Sequence, residues 1–382
     1  MGRIPLADLT VDKHLRAVSA SDTNAVWRAL VDALAGGDAL CVTDTPPVPV
    51  VVSDECAVVV LTSGSTAKPK RVAISAEALR QSARATAEAI GTGGWMLALP
   101  LDYIAGLMVL VRTAEAGRTP VEFTATRFDA AEFCRAVREL PDDTWFTALV
   151  PAQLVRLVDF AESNPDARDA LRRFERILVG GQAIPDGIID RATALGVRVT
   201  KTYGSAETAG GVVYDGVPIG DTEVRIAPDG QIELSTSSLA LGYLDDSGMV
   251  TPWSFSTEDD RRWWHTTDIG AMHDGVLTVL GRTDDIIVTG GIKVSLGDID
   301  RVLDSAGVNA VASWFADDTW GQVPALVSET ELDRDAVREL IEREVSPEAR
   351  PYRFVTVLEF PRLSSGKIDR RAVHDLVANV ES

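Results

Sequence analysis

Between residues 56 and 202, short apolar runs alternate with stretches of helical period, and no other feature of the sequence narrows the fold as much. The run CAVVVL at 56–61 is continuous rather than alternating, the signature of a strand covered on both faces. A polar Gly/Ser/Thr loop and a short strand at 72–74 follow. Ser75 is placed to cap a helix over 76–90, and Gly91 to end it. Further strand-like runs occupy 95–99, 121–123, 145–149, 176–179 and 198–202, with helical runs at 106–115, 130–138, 153–160 and 187–195 between them. That alternation predicts an α/β fold built on a mainly parallel sheet with helices on both faces. Residues 1–53 read as a helical lead-in, amphipathic over 25–34, that closes on a Pro/Val connector at 45–52.

The texture changes near Val212. Short runs separated by Gly/Asp turns, as in GVPIGDTEVRIAPDGQIEL, predict a small antiparallel β subdomain. After GRTDD (281–285) it changes again: helices over 296–303 and 333–345 and strands over 310–315, 323–328 and 354–358 predict a small α+β C-terminal domain. The chain carries 57 Asp+Glu against 37 Lys+Arg, a net charge of −20, which argues against a nucleic-acid partner. Three scattered cysteines and four histidines that never fall at ligand spacing give neither a disulfide framework nor a metal site made of protein ligands alone. The N-terminal MGRIPLADLT has no apolar signal core, and the most apolar stretch, 95–111, is broken by Pro100 and Asp102 and is shorter than the ~20 residues of a membrane span. A cytoplasmic protein without a membrane span is expected.

Five segments carry chemistry. In LTSGSTAKPKRVAIS, the residues Thr62, Ser63, Gly64, Ser65 and Thr66 form a hydroxyl- and amide-rich loop of the kind that receives phosphate oxygens, with Lys68 and Lys70 in reach of a terminal phosphate. It lacks the spacing of a Walker A loop. TKTYGSAETAGG ends a predicted strand, where open α/β sheets place ligands. There Tyr203 can stack on a base, and Glu207 suits a magnesium ion that bridges to phosphates. In HTTDIG and GRTDD, Asp268 can accept both ribose hydroxyls while Arg282 donates from another side. PRLSSGKIDRRAV presents Lys367 on a Ser/Gly-rich turn. Each segment alone also reads as an ordinary solvated loop or turn. Lysine itself is scarce: of six in the chain, only Lys13 lies away from these segments and their flanks.

In order and spacing, the five segments resemble the motifs of the adenylate-forming superfamily of acyl- and aryl-CoA synthetases, luciferases and peptide-synthetase adenylation domains. TSGSTAKPK departs from that pattern at Ala67, YGSAE at Ala206 and TTD at Thr267, while GRTDD and PRLSSGKIDR match throughout. The Ala206 departure removes one neutral hydrogen bond to the α-phosphate, about 0.5–1.5 kcal/mol, so a lowered rather than abolished rate is expected. The segments LPLDYIAGLMVLVR, FTALVPAQLVRL and LVGGQAIP further resemble the compact o-succinylbenzoate–CoA ligases of menaquinone biosynthesis.

The resemblance implies a large N-terminal domain over 1–281, a hinge over 282–285 at Asp284 and a mobile lid domain over 286–382. It implies ATP, Mg2+ and coenzyme A as reactants, a small aryl carboxylate as substrate, and leaves a homodimer open. Thr62–Thr66 and Lys70 would hold the β- and γ-phosphates, with Mg2+ on Glu207. Gly180, Gly181, Gln182 and Tyr203 would hold adenine, and Asp268 and Arg282 the ribose. Lys367 would bridge the attacking carboxylate and the transferring phosphate. Tyr103, Gly181, Gln182, Ser205 and Lys201 would line the acyl pocket, although on an alternating strand Lys201 can equally face solvent. Gly290, Gly291 and Lys293 would approach the pantetheine channel. Alternatives are another aryl- or short-acyl-CoA ligase, an adenylation enzyme that loads a carrier protein, and a catalytically silent nucleotide-binding paralogue.

Overall fold

A computed structural model of the chain describes residues 11–45, 51–62, 70–123, 128–185, 187–252, 254–363 and 367–378. They fall into two compact units. One takes the described residues of Met1–Ala183, Ile189–Val224 and Glu233–His265, and the other those of Ile184–Ile188, Arg225–Ile232 and Thr266–Ser382. The architecture is the expected α/β one, with a large N-terminal part and a small α+β C-terminal part.

The first unit holds two seven-stranded sheets. One is mixed: Val11–Val18, Ala39–Val42 and Cys56–Thr62 run parallel, while Lys70–Ser75 returns antiparallel to Cys56–Thr62 and Gly242–Leu244 adds beyond it. The other carries five parallel strands in the order Val121–Glu122, Gly94–Leu97, Trp145–Leu149, Phe174–Gly180 and Val199–Ser205, then the antiparallel Gly210–Tyr214 and Val217–Pro218. Helices Thr23–Leu34, Ala76–Ile90 and Ile104–Glu115 share one apolar core with side chains of both sheets, among them Val60, Ile74, Trp95, Phe146 and Leu178. The helix boundaries follow local chemistry. Ser75 accepts from the Ala78 amide at 3.1 Å, and Gly91, at φ 96°, ends Ala76–Ile90.

The lead-in is not helical throughout. Strand Val11–Val18 precedes the helix Thr23–Leu34, and Ala39–Val42 pairs parallel with that strand. Leu15 and Val18 are buried while His14 and Arg16 are exposed, and the segment is flanked by Ala39–Val42 on one side and Val51–Ser53 on the other, so its state is decided by long-range partners. Two helices went unpredicted. Pro165–Arg172 is capped by Asn164, which accepts from the Ala167 amide at 3.1 Å, and Arg370–Ala378 closes the described chain.

The chain passes between units along Arg261–His273. Its first residues pair with Phe255–Glu258, and those from Asp268 onward pair with Val276–Arg282. In the second unit Ile292–Ser295, Ile286–Thr289, Gly321–Ser328 and Ala310–Asp317 form one sheet in that order, and Arg353–Thr356 joins parallel to Gly321–Ser328. Helices Leu296–Ser305 and Arg334–Glu344 contribute to one of its cores, and Arg370–Ala378 to another.

Cys41, Cys56 and Cys134 are all buried, and burial pushes their thiols up to about 11, 12 and 11 respectively. A thiol at such values carries almost no thiolate at neutral pH. We therefore expect none of the three to react with Ellman's reagent at pH 7.5 in the native protein and all three to react after denaturation. A fast-reacting thiol in the native state would contradict this packing.

Candidate active site

At the carboxyl end of strand Val199–Ser205 the chain turns sharply. Ala206–Thr208 make a single 3-10 turn, and Ala209 takes a left-handed conformation at φ 50° before strand Gly210–Tyr214 begins. The turn is held from within. Ser205 Oγ accepts from the Glu207 amide at 3.1 Å, and Thr208 Oγ1 accepts from the Ser205 amide at 2.9 Å. Ser82, from the helix Ala76–Ile90, donates to the Ala209 carbonyl at 2.7 Å. The result fixes Glu207, only 7% exposed, with Oε2 accepting from Ser205 Oγ at 2.8 Å and Oε1 from the Tyr243 hydroxyl at 2.9 Å. Glu207 makes no ion pair among the described residues. A buried carboxylate with two hydroxyl donors and no cation is costly on its own and suits a hard cation supplied from outside.

Lys70 opens strand Lys70–Ser75, opposite Thr62, whose hydroxyl donates to the Lys70 carbonyl at 3.5 Å. Its ammonium stands 5.3 Å from the centroid of the Tyr243 ring. Tyr243 is thus in contact with both Glu207 and Lys70. Burial, then the Glu207 charge, pushes its phenol well above the usual range and keeps it a hydrogen-bond donor. Ser63, Gly64, Ser65, Thr66 and Lys68 lie outside the described residues.

Gly180 ends strand Phe174–Gly180 in register with Thr202 on the neighbouring parallel strand. A Cβ there would run into the Thr202 hydroxyl and carbonyl, so the close approach requires glycine. Gly181 and Gln182 follow at the strand end, and half-buried Tyr203 lies one residue past Thr202. Half-buried Tyr103 precedes helix Ile104–Glu115 as its N-cap residue. Lys201 is exposed, and its backbone amide donates to Asp215 at 2.8 Å.

One residue escaped the sequence reading. Arg112 lies on helix Ile104–Glu115, whose residues from Gly106 to Thr113 are all buried, so its guanidinium is largely withdrawn from water. It stacks on Trp95 at 5.0 Å and its Nε donates to Thr86 Oγ1 at 3.3 Å; Thr86 in turn shares a 2.9 Å hydrogen bond with Tyr214. No carboxylate among the described residues lies within ion-pair distance of it, and burial lowers its pKa from the usual arginine value. The signal was present in the sequence: one arginine inside IAGLMVLVR, an otherwise apolar helical run.

In the second unit, Asp268 and Arg282 face each other across paired strands. Arg282 donates to Asp268 at 3.0 Å, to Thr267 Oγ1 at 2.6 Å, and through two nitrogens to both oxygens of Asp284 at 2.7 and 2.8 Å. Gly290 and Gly291, at φ 58° and 85°, make the two-residue turn between Ile286–Thr289 and Ile292–Ser295; Lys293 beyond it is exposed. Lys367 sits in a short closed loop in which its carbonyl accepts from the Leu363 amide at 2.8 Å and Arg362 bridges to Ile368. It is half-buried, and burial lowers its pKa.

Residues 6–244 match the model of the family described as AMP-binding enzyme. A probable 2-succinylbenzoate–CoA ligase of Mycobacterium tuberculosis (strain CDC 1551 / Oshkosh) is 38% identical over 334 residues, 84% of this chain and 85% of that relative. The 2-succinylbenzoate–CoA ligase of Escherichia coli (strain K12) is 29% identical over 334 residues, 83% of this chain and 68% of the relative. Among solved structures, o-succinylbenzoate CoA synthetase (MenE) from Bacillus subtilis in complex with the acyl-adenylate intermediate OSB-AMP aligns with a TM-score of 0.74 at 21% identity, over 95% of this chain and 88% of that one. An arginine-to-lysine variant of E. coli MenE with bound OSB-AMS gives 0.70 at 24%, over 91% and 79%. At these identities the structural likeness speaks for the fold. The family match over more than half the sequence and the relative at 38% identity establish that the chain belongs to the AMP-binding enzyme family.

Proposed function

We propose that the chain ligates o-succinylbenzoate to coenzyme A through an acyl-adenylate, consuming ATP and releasing AMP and pyrophosphate, as a step of menaquinone biosynthesis. The observation that carries the substrate is Arg112. A guanidinium buried among Trp95, Thr86 and Tyr214, with no acidic partner among the described residues, favours an incoming carboxylate beside an aromatic ring. The substrate brings two carboxylates, one to react and one to be recognised. Arg112 offers the buried counter-charge for the second, whereas Lys201 is exposed and would bind it against water. The relatives named as 2-succinylbenzoate–CoA ligases support the same reading.

In the first half-reaction a substrate carboxylate oxygen attacks the α-phosphorus of ATP and pyrophosphate leaves. Two anions must meet, so the residues mainly position groups and neutralise charge. Thr62, Ser63, Gly64, Ser65, Thr66 and Lys70 hold the β- and γ-phosphates. Gly180, Gly181, Gln182 and Tyr203 hold adenine, while Asp268 and Arg282 hold the ribose. Glu207 fits Mg2+, which supplies positive charge at the phosphates when bound; the fit rests on its buried carboxylate, which has no ion-pair partner among the described residues. Tyr103 and Ser205 line the acyl pocket with Arg112, and Lys367 contacts both reacting groups. In the second half-reaction the coenzyme A thiolate attacks the acyl carbon and AMP leaves. Residues 282–285, with Asp284 clasped by Arg282, form the hinge on which 286–382 turns, exchanging Lys367 for Gly290, Gly291 and Lys293 near the pantetheine. No helix among the described residues is long and apolar enough to cross a membrane, and we assign the reaction to the cytoplasm, where ATP and coenzyme A are found.

Replacing Arg112 by Met keeps the packing and removes the charge. Carboxylate-dependent ATP–pyrophosphate exchange should then show a KM for o-succinylbenzoate raised roughly a hundredfold, at an unchanged KM for ATP. Discrimination against the analogue that lacks the ring carboxylate should disappear. Equal loss toward both acids would reject the assignment, and no exchange by the native chain with any acid would leave a silent nucleotide binder.

Lys367→Ala should stop adenylate formation while sparing thioester formation from preformed acyl-adenylate; equal loss in both halves would sink the lid mechanism. Since burial lowers the Lys367 pKa and the charged form is the active one, adenylation should fail on the alkaline side below the ordinary lysine range. A pH–rate profile without that limb would count against Lys367 as the cation.

A further inference from the structure

We infer that Tyr243 is a positioning residue of the nucleotide site: its hydroxyl aims the Glu207 carboxylate and its ring seats the Lys70 ammonium, so one side chain sets the spacing between the anion that receives the metal and the cation that meets phosphate. The inference rests on the reading of Glu207 and Lys70 given above. Tyr243 lies on Gly242–Leu244, directly opposite Val72 on Lys70–Ser75. Lys70 is two residues before Val72, so Lys70, Val72 and Tyr243 share a face of the sheet, and Lys70 is the diagonal neighbour of Tyr243. That geometry delivers the ammonium to the ring at 5.3 Å.

From the other side, the phenol oxygen meets Glu207 Oε1 at 2.9 Å in a buried setting. Ser205 takes the second carboxylate oxygen at 2.8 Å, so the plane of the carboxylate is fixed by two hydroxyls from different elements. The tyrosine is itself pinned. Its carbonyl accepts from Thr251 Oγ1 at 3.0 Å, and the Ala240 amide just upstream donates to the Glu207 carbonyl at 2.8 Å. The Phe255 ring packs at 6.1 Å from that of Tyr243. Removing the hydroxyl leaves Glu207 Oε1 one donor short and lowers stability as well, so the reading is made on metal affinity in the folded protein.

The test uses the intact chain and a non-hydrolysable ATP analogue, with Mn2+ as the metal probe, its free concentration read by electron paramagnetic resonance. Tyr243→Phe removes only the hydroxyl and should weaken Mn2+ in the ternary complex roughly tenfold, with metal-free nucleotide affinity unchanged. Tyr243→Leu should weaken metal-free nucleotide binding as well, because Lys70 loses its seat. Glu207→Gln should weaken Mn2+ at least as much, and the Tyr243→Phe/Glu207→Gln double variant should be no worse than Glu207→Gln alone. Circular dichroism checks that each variant is folded. If Glu207→Gln binds Mn2+ like the native chain, the metal reading of Glu207 fails. If Glu207→Gln loses Mn2+ while Tyr243→Phe keeps it, or if the two losses simply add, the inference about Tyr243 is overturned.

Discussion

Two seven-stranded sheets bury their side chains against the same three helices, and the sealed core that results governs the chemistry beside it. Helix Ile104–Glu115 is enclosed over its whole middle, so any polar group it carries must be satisfied inside. Arg112 meets that demand with an aromatic face and a hydroxyl instead of a carboxylate. Glu207 poses the opposite case at the edge of the same core: an anion held by two hydroxyls with no ion-pair partner among the described residues. Removing a charge from water costs several kcal/mol unless it is paired. Two buried charges of opposite sign in one unit, neither with an ion-pair partner among the described residues, are therefore the costliest groups of this core and the ones on which the proposed reading rests.

Much of this arrangement could be read from the residues. The alternation of apolar runs with helical period placed most strands and helices of the first unit within a few residues, since a short, valine-rich apolar run such as 56–61 favours a covered strand over a buried helix. Ser75 and Gly91 delimited their helix because capping is local chemistry. The strand Val11–Val18 was not legible: it becomes a strand through its pairing with Ala39–Val42 and Val51–Ser53, and no window of the sequence contains those partners. The same limit hid Tyr243. As the tyrosine of LGYLDD it looks like turn-flanking filler; its meaning lies in Glu207 and Lys70, which are 36 and 173 positions away. Arg112 was legible and was passed over, because motif reading attends to polar loops rather than to a charge inside an apolar helix.

The departures from the family pattern now have local explanations. Thr267, where glycine is usual, takes ordinary backbone torsions and its hydroxyl accepts from Arg282 at 2.6 Å. The extra side chain thereby adds a third anchor to the guanidinium that also binds Asp268 and Asp284. The two-nitrogen contact with Asp284 already fixes the guanidinium plane, and the Thr267 hydroxyl adds to it. Ala206, where threonine is usual, is buried in the shared apolar core. The turn it opens is already closed by Ser205 and Thr208, which satisfy one another's backbone groups without help from position 206. The missing hydroxyl therefore leaves Glu207 where it is.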